Sequence, residues 1–230
     1  MKITFTNTFE TPDKYGPKPA SASIPEWYKA VSSYRFTGEK KPIGDGSTPA
    51  TIKRCMPVFD AITSGYLLHT YVDIWVSQRD GQPWYEWPSF KAIDFHPIDQ
   101  APNYPNRNGH DISYPKWINS WAVKTPKGYS TLFVQPFHRE SIFSILPGVV
   151  DTDTYDVPVN FPFVLNDTSF EGLIPAGTPM VQVIPFKRES WEMEIGNRKD
   201  FEQQNKNNIL LRTVFFDSYK LNFRQKKEYK

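Results

Sequence analysis

Two aspartates set two residues apart, Asp151 and Asp153, lie in the turn Gly148-Val-Val-Asp-Thr-Asp-Thr-Tyr155 and are the carboxylates best spaced to act together. Such a pair can orient and deprotonate a water, or carry a divalent cation such as Mg²⁺. In a Gly/Asp turn the same carboxylates can instead cap backbone N–H groups and do no chemistry, and the turn context favours that use. His138-Arg139-Glu140 offers an acid/base next to an anion clamp, but after Pro136 it reads first as the charged tip of a hairpin.

Other chemistries lack their residues. The four histidines (69, 96, 110 and 138) are far apart, with neither an H-x-H pair nor H-E-x-x-H, so no histidine metal site is expected. Cys55 is the single cysteine; it gives no internal disulfide and no zinc set, and it has no base beside it. There is no G-x-S-x-G elbow, P-loop or dinucleotide fingerprint. With 27 basic against 25 acidic residues, a formal +2, no global field draws nucleic acid or an anionic membrane. Met1 to Glu10 lacks the apolar stretch of a secretory signal, and no run approaches the ~20 apolar residues of a membrane span. The expectation is a soluble chain made in a reducing cytosol.

The elements that must hold these residues read as short strands and rigid turns, since 21 prolines against 12 glycines argue against helices. From Pro126 to Phe186, three apolar, β-branched or aromatic runs are separated by Pro/Gly/Asp turns, the pattern of antiparallel strands closing a small barrel or jelly roll. Upstream, Met1 to Gly16 suggests a strand or extended arm. Ser23 to Val31 suggests a short helix with Ser23 as N-cap and Trp27 and Tyr28 docking it. Thr37 to Thr51 reads as a surface loop, and Ile52 to Val76 as strand, with Leu68, Thr70, Val72, Ile74 and Val76 on an aliphatic face. Gln78 to Trp121 is irregular; its Trp84, Trp87, Trp117 and Trp121 can stack a base or sugar, though burial at a subunit contact is the favoured use. Ser190 to Ile195 alternates like a half-exposed strand, Arg198 to Leu211 reads as helix, and the last residues as a solvated basic tail. One domain over 1–230 is expected: an N-terminal arm and helix (1–51), a β core (52–195) with the 78–121 insertion, and a helical tail (196–230).

Gly148-Val-Val-Asp151-x-Asp153, the strand Phe161-Pro-Phe-Val-Leu-Asn166 and Gly177-Thr-Pro-Met-Val-Gln182-Val-Ile resemble, in order and spacing, the centre of the trimeric dUTP pyrophosphatase and dCTP deaminase superfamily. Gly128-Tyr-Ser130-Thr-Leu132 is similar to that family's serine-bearing nucleotide segment. The resemblance implies a distorted β-barrel, commonly a trimer with pockets between subunits. By its motifs, Asp151 would orient a water, Ser130 would meet phosphate, Tyr155 would pack on deoxyribose, and Gln182 would fall on the family's strand glutamine. Mg²⁺ would ride on the triphosphate. The departures matter. Tyr155 arrives one residue late, which on an extended chain turns it to the opposite face. Ser130 lacks the adjacent arginine, for which Arg139 and Arg188 are the candidate replacements. The glycine-rich C-terminal arm is missing, and Asp156 to Asn160 shows no deaminase glutamate. The chain as a whole also resembles uncharacterised proteins of tailed bacteriophages.

Three functions remain open on these grounds. The leading one is a non-enzymatic assembly protein built on a degenerate dUTPase-like barrel, a homo-oligomer (a trimer by the resemblance) with protein partners, in a virion or host cytoplasm, without cofactor. The second is a Mg²⁺-dependent dNTP pyrophosphatase or deaminase of phage nucleotide metabolism, with Asp151 and Asp153 catalytic and Ser130, Tyr155, Gln182 and Arg139 binding ligand. The third is a nucleotide-binding regulator.

Overall fold

The computed structural model describes residues 1–9, 11–35, 50–89, 91–100, 114–198, 201–202, 204–206 and 218–230. Most of the 37–51 loop, residues 101–113 of the Trp-rich insertion and most of 198–217 lie outside them. Among the described residues the chain is mainly β, as expected, but its strands form open antiparallel sheets and no closed barrel.

The central sheet has five strands in the order β11 (Gly148–Val150), β9 (Tyr129–Val134), β14 (Pro179–Lys187), β3 (Tyr66–His69) and β2 (Lys18–Pro19). A four-stranded sheet runs β10 (Phe143–Ile145), β12 (Phe161–Leu165), β7 (Pro115–Trp117), β6 (Ile93–Phe95), and a three-stranded one β13 (Gly172–Ile174), β4 (Ile74–Arg79), β5 (Gln82–Glu86). The opening alternation does form a strand: β1 (Thr4–Asn7) pairs with β8 (Trp121–Lys124).

The three sheets meet in one apolar core. Alternation along β12 sends Phe161, Phe163 and Leu165 inward. There Phe163 stacks on Trp117, with ring centroids 4.5 Å apart, and Phe143 lies against both. From the central sheet come Leu68, Phe133, Val181 and Val183, and from β4 come Ile74 and Val76. Met180 and Val181 are both buried although adjacent, because the register against β3 shifts between Pro179 and Val181, and a bulge re-aims one side chain. Trp117 is thus a core residue, while Trp84 remains exposed on β5 beneath the Arg79 guanidinium, 4.1 Å from its ring.

Ile52 to Val76 is not continuous strand. Met56–Thr63 forms an α-helix, α2, with a proline in its first turn where the missing N–H is harmless. The run also breaks after β3: Thr70, Tyr71 and Val72 are all buried, and Ile74 starts a strand in another sheet. The earlier helix, α1, spans only Glu26–Ala30; Pro25, not Ser23, occupies its N-cap. Its docking follows the expectation, with Tyr28 buried and Trp27 Nε1 donating to the His138 carbonyl at 2.7 Å.

Helix α2 is fixed to the outer face of the central sheet by Gln182. Its Nε2 donates to the carbonyls of Ala61 (2.9 Å) and Ser64 (2.6 Å), and its Oε1 accepts from Phe137 N–H at 3.0 Å. Gly65 allows this close approach: its φ is +66°, and a Cβ there would lie 2.0 Å from the Val183 carbonyl oxygen. The helix covers only one end of the face. Toward the other end the row Val149–Leu132–Ile184 crosses β11, β9 and β14 in register, with Val149 61% exposed.

The C-terminal region departs from its expected form in two places. Trp191-Glu-Met-Glu-Ile195 pairs with no described strand; Trp191, Met193 and Ile195 are all more than 85% exposed. The basic tail is not simply solvated. After the short helix α3 (Ser218–Asn222), Arg224 forms a two-toothed ion pair with Asp60 of α2, 2.6 Å at its closest, with Lys227 adding a contact at 3.1 Å. Tyr229 packs edge-on against Tyr66.

Two outcomes follow from this packing. Phe163→Ala removes the ring at the centre of the aromatic cluster and lowers unfolding free energy by about 3–5 kcal/mol in urea titration. Asp60→Asn weakens the tail's anchor, so hydrogen exchange over residues 218–230 accelerates while exchange in β9 and β14 stays unchanged.

Candidate functional site

The aspartate turn sits at the end of the central sheet where β11 leaves off. Pairing of Val150 with Thr131 carries Asp151 alongside Ser130, and pairing of Phe186 with Ser130 brings β14 to the same row. Beyond β14 the ladder continues for one more bond, Arg188 N–H to the Gly128 carbonyl at 2.9 Å, so Arg188 falls on the same side as Phe186.

Around Arg188 the polar groups close on one another. Ser130 Oγ donates to Asp151 Oδ1 at 2.6 Å. One terminal guanidinium nitrogen of Arg188, with two hydrogens to give, has four acceptors within hydrogen-bond reach, Asp153 Oδ1 (2.9 Å), Ser130 Oγ (3.1 Å), the Tyr129 carbonyl (3.1 Å) and Asp151 Oδ1 (3.2 Å), and the other donates to Asp153 Oδ2. Asp153 also accepts from Gly128 N–H at 2.8 Å. Beneath the turn, Thr152 is fully buried, its hydroxyl joined to those of Thr125 (2.8 Å) and Thr131 (2.7 Å). The turn is thus fixed from below by hydroxyls and from above by a guanidinium.

Burial separates the two carboxylates. The Asp153 side chain is 3% exposed and that of Asp151 is 62%. The hydrogen bonds from Arg188, then that from Gly128 N–H, hold the Asp153 carboxyl well below the usual carboxylate range. The same ion pair raises the Arg188 guanidinium. Asp153 is therefore the capping carboxylate anticipated for this turn; the Asp151 carboxylate caps no backbone N–H and faces outward.

The structure unites Asp151, Asp153 and Ser130 with Arg188, and separates the other expected ligand residues from them. Arg139 lies beyond the far end of β9, whose extended run from Ser130 to Val134 alone spans roughly 13 Å. It is half-buried there and donates to the Ser23 carbonyl; burial lowers its guanidinium. His138, with φ +54°, does not sit at the expected hairpin tip: β9 and β10 on either side of it belong to different sheets, so residues 138–140 lie in the link that crosses between them. Gln182 is fully engaged with α2 and Phe137. Tyr155 lies past the turn, 49% exposed, tied in only through its N–H to the Asp151 carbonyl at 2.8 Å. His69, also remote from the turn, is buried and held at about 4, chiefly by desolvation, with Lys18 and Arg139 adding to the effect.

Of the two candidate arginines, Arg188 is the one beside Ser130, and it turns its fork toward the aspartates rather than a free anion site. A divalent cation does not fit between Asp151 and Asp153, because the guanidinium stands there. Among the described residues no group of three His, Cys, Asp or Glu side chains is arranged to hold a metal. The chain matches no protein-family model and no curated protein, so the site is read from its own geometry.

The Arg188–Asp153 pair makes stability depend on pH with a definite sign. A carboxyl depressed in the folded state stabilises above its unfolded value of roughly 3.9 and loses that contribution as pH falls toward its folded value. Thermal melts of the wild type should therefore weaken below about pH 4, and Asp153→Asn should show a smaller decline over that range.

Proposed function

We propose that this chain is a non-enzymatic assembly protein, and that its tailed-phage resemblance points to a virion component. The observation that carries the reading is the closure of the polar cluster: Ser130 is 1% exposed beneath Arg188, and Asp153 is consumed by the same guanidinium. A buried hydroxyl whose hydrogen is given to Asp151 and whose oxygen faces Arg188 has little left to offer a phosphate, the contact expected of Ser130. A cation already paired with two carboxylates offers less charge to a triphosphate, whose transfer depends on positioning and neutralisation. Exposed aromatic and aliphatic side chains also favour a protein partner: Trp75 and Trp84 on the three-stranded sheet, and the 191–195 segment. The proposed frame remains a dUTPase-like or jelly-roll derivative, opened into separate sheets.

A second reading, a dNTP pyrophosphatase or deaminase, has one observation in its favour. Asp151 is largely exposed beside Arg188, so its carboxylate can orient a water if a bound phosphate draws the guanidinium away. In that reading Mg²⁺ arrives with the triphosphate rather than on protein carboxylates.

Incubation of the purified chain with Mg²⁺ and canonical and modified nucleoside triphosphates, with chromatographic separation of products, decides between them. The expected outcome is no product and no nucleotide-dependent rise in melting temperature. Monophosphate or a deaminated base, lost in Asp151→Asn, overturns the assembly reading. A raised melting temperature without product assigns the chain to nucleotide-binding regulation instead.

A further inference from the structure

We infer that residues 190–195 form a donated strand that pairs with edge strand β11 of a second copy of this chain. This names the partner within the assembly reading, on which it rests. The segment has the form of a strand with nothing to pair with. Trp191, Met193 and Ile195 alternate with Glu192 and Glu194, so an extended backbone puts all three large apolar side chains on one side. They are 89%, 86% and 87% exposed, an unfavourable arrangement for an isolated chain.

The same chain carries an unfilled acceptor. Among the described residues β11 is the edge of the central sheet and pairs with β9 alone, which leaves its outer backbone edge for another strand. A strand added there continues the row of half-buried Ile184 and Leu132 and exposed Val149, on the part of the face that α2 does not reach. Phe186, 40% exposed, extends the same face toward Arg188.

Geometry and charge favour a neighbour's edge over the chain's own. The bond from Arg188 N–H to the Gly128 carbonyl keeps the backbone in line with β14 through Arg188, heading away from that row. Glu192 and Glu194 have no cation partner among the described residues, and exposed Lys127, just before β9, has no anion partner. Reciprocal exchange of two such segments, with the faces beneath them, removes on the order of 1,500 Å² from water, the size of a stable interface. Donor and acceptor occur once each per chain, which suits either a closed ring or a reciprocal pair.

Sedimentation velocity on the full chain tests this. The wild type is expected to sediment as an oligomer. The Trp191→Ser/Met193→Ser/Ile195→Ser variant should sediment at the mass of one chain and keep the wild type's near- and far-ultraviolet circular dichroism, because these side chains support nothing within their own subunit; its melting temperature falls to the value the wild type reaches on dilution, since the partner no longer stabilises the fold. Val149→Glu, which spoils the acceptor, should also be monomeric, and a mixture of the two variants should associate, since each supplies the half the other lacks. A monomeric wild type, an oligomer that survives the triple substitution, or variants that fail to complement each overturns the donated strand. Survival of the oligomer would leave assembly standing through another surface, whereas nucleotide turnover would remove the assembly reading irrespective of sedimentation.

Discussion

The pairing of β14 on both of its edges is the constraint from which the rest follows. Its nine residues pair with β3 from Pro179 to Val183 and with β9 from Gln182 to Lys187, so each side chain is committed to one of two environments. On the inner side Val181 and Val183 join the aromatic core. On the outer side Gln182 holds α2, Ile184 lies half-buried in the row that leads to exposed Val149, Phe186 flanks Ser130, and Arg188 reaches the aspartates. A helix anchor, an exposed surface and a polar cluster are thus successive steps of one strand. Slipping the register by one residue would exchange Gln182 with the valines and leave a buried amide without its three hydrogen bonds.

The polar cluster illustrates how similar residues can build either a reactive site or a structural one. Serine, two carboxylates and a guanidinium have the makings of phosphate chemistry when their hydrogen-bonding capacity is unspent. Here the capacity is spent internally: Arg188 is within hydrogen-bond reach of both carboxylates, Ser130 and a backbone carbonyl, and the threonine hydroxyls below satisfy one another. Such closure orders a turn at the corner of a sheet, and the chain then leaves that corner toward Trp191.

Much of this was legible in residue order, within physical limits. Phe161 to Leu165 was expected as a strand and is one, and the alternation around Ile74 and Val76 gave the right face, since period two reports directly on which side is buried. The helix over Met56–Thr63 was not legible: eight apolar-rich residues fit a buried strand as well as a helix, and β-branched Val58 and Ile62 favoured the wrong one. Asp151, Asp153 and Ser130 were identified together, but Arg188 was only one of two candidate arginines, 37 residues from Asp151, with no local signal to choose it over Arg139. The Asp60–Arg224 pair spans 164 residues and left no pattern at all. In Trp191 to Ile195 the periodicity was genuine, yet period two says only that a segment can be a strand; a ladder partner must come from elsewhere in space.

Two of the guanidinium–carboxylate contacts, Arg188 with Asp153 and Arg224 with Asp60, act as pegs at either end of the chain that runs between them. A strap fastened at both ends has a bounded reach. Trp191 and Ile195 stand three and seven residues beyond the first peg, so even a fully extended backbone carries them no farther than roughly 25 Å from Arg188. Whatever those side chains grip must come right up to the corner of the sheet, and the strap behaves as a short clasp rather than a long tether.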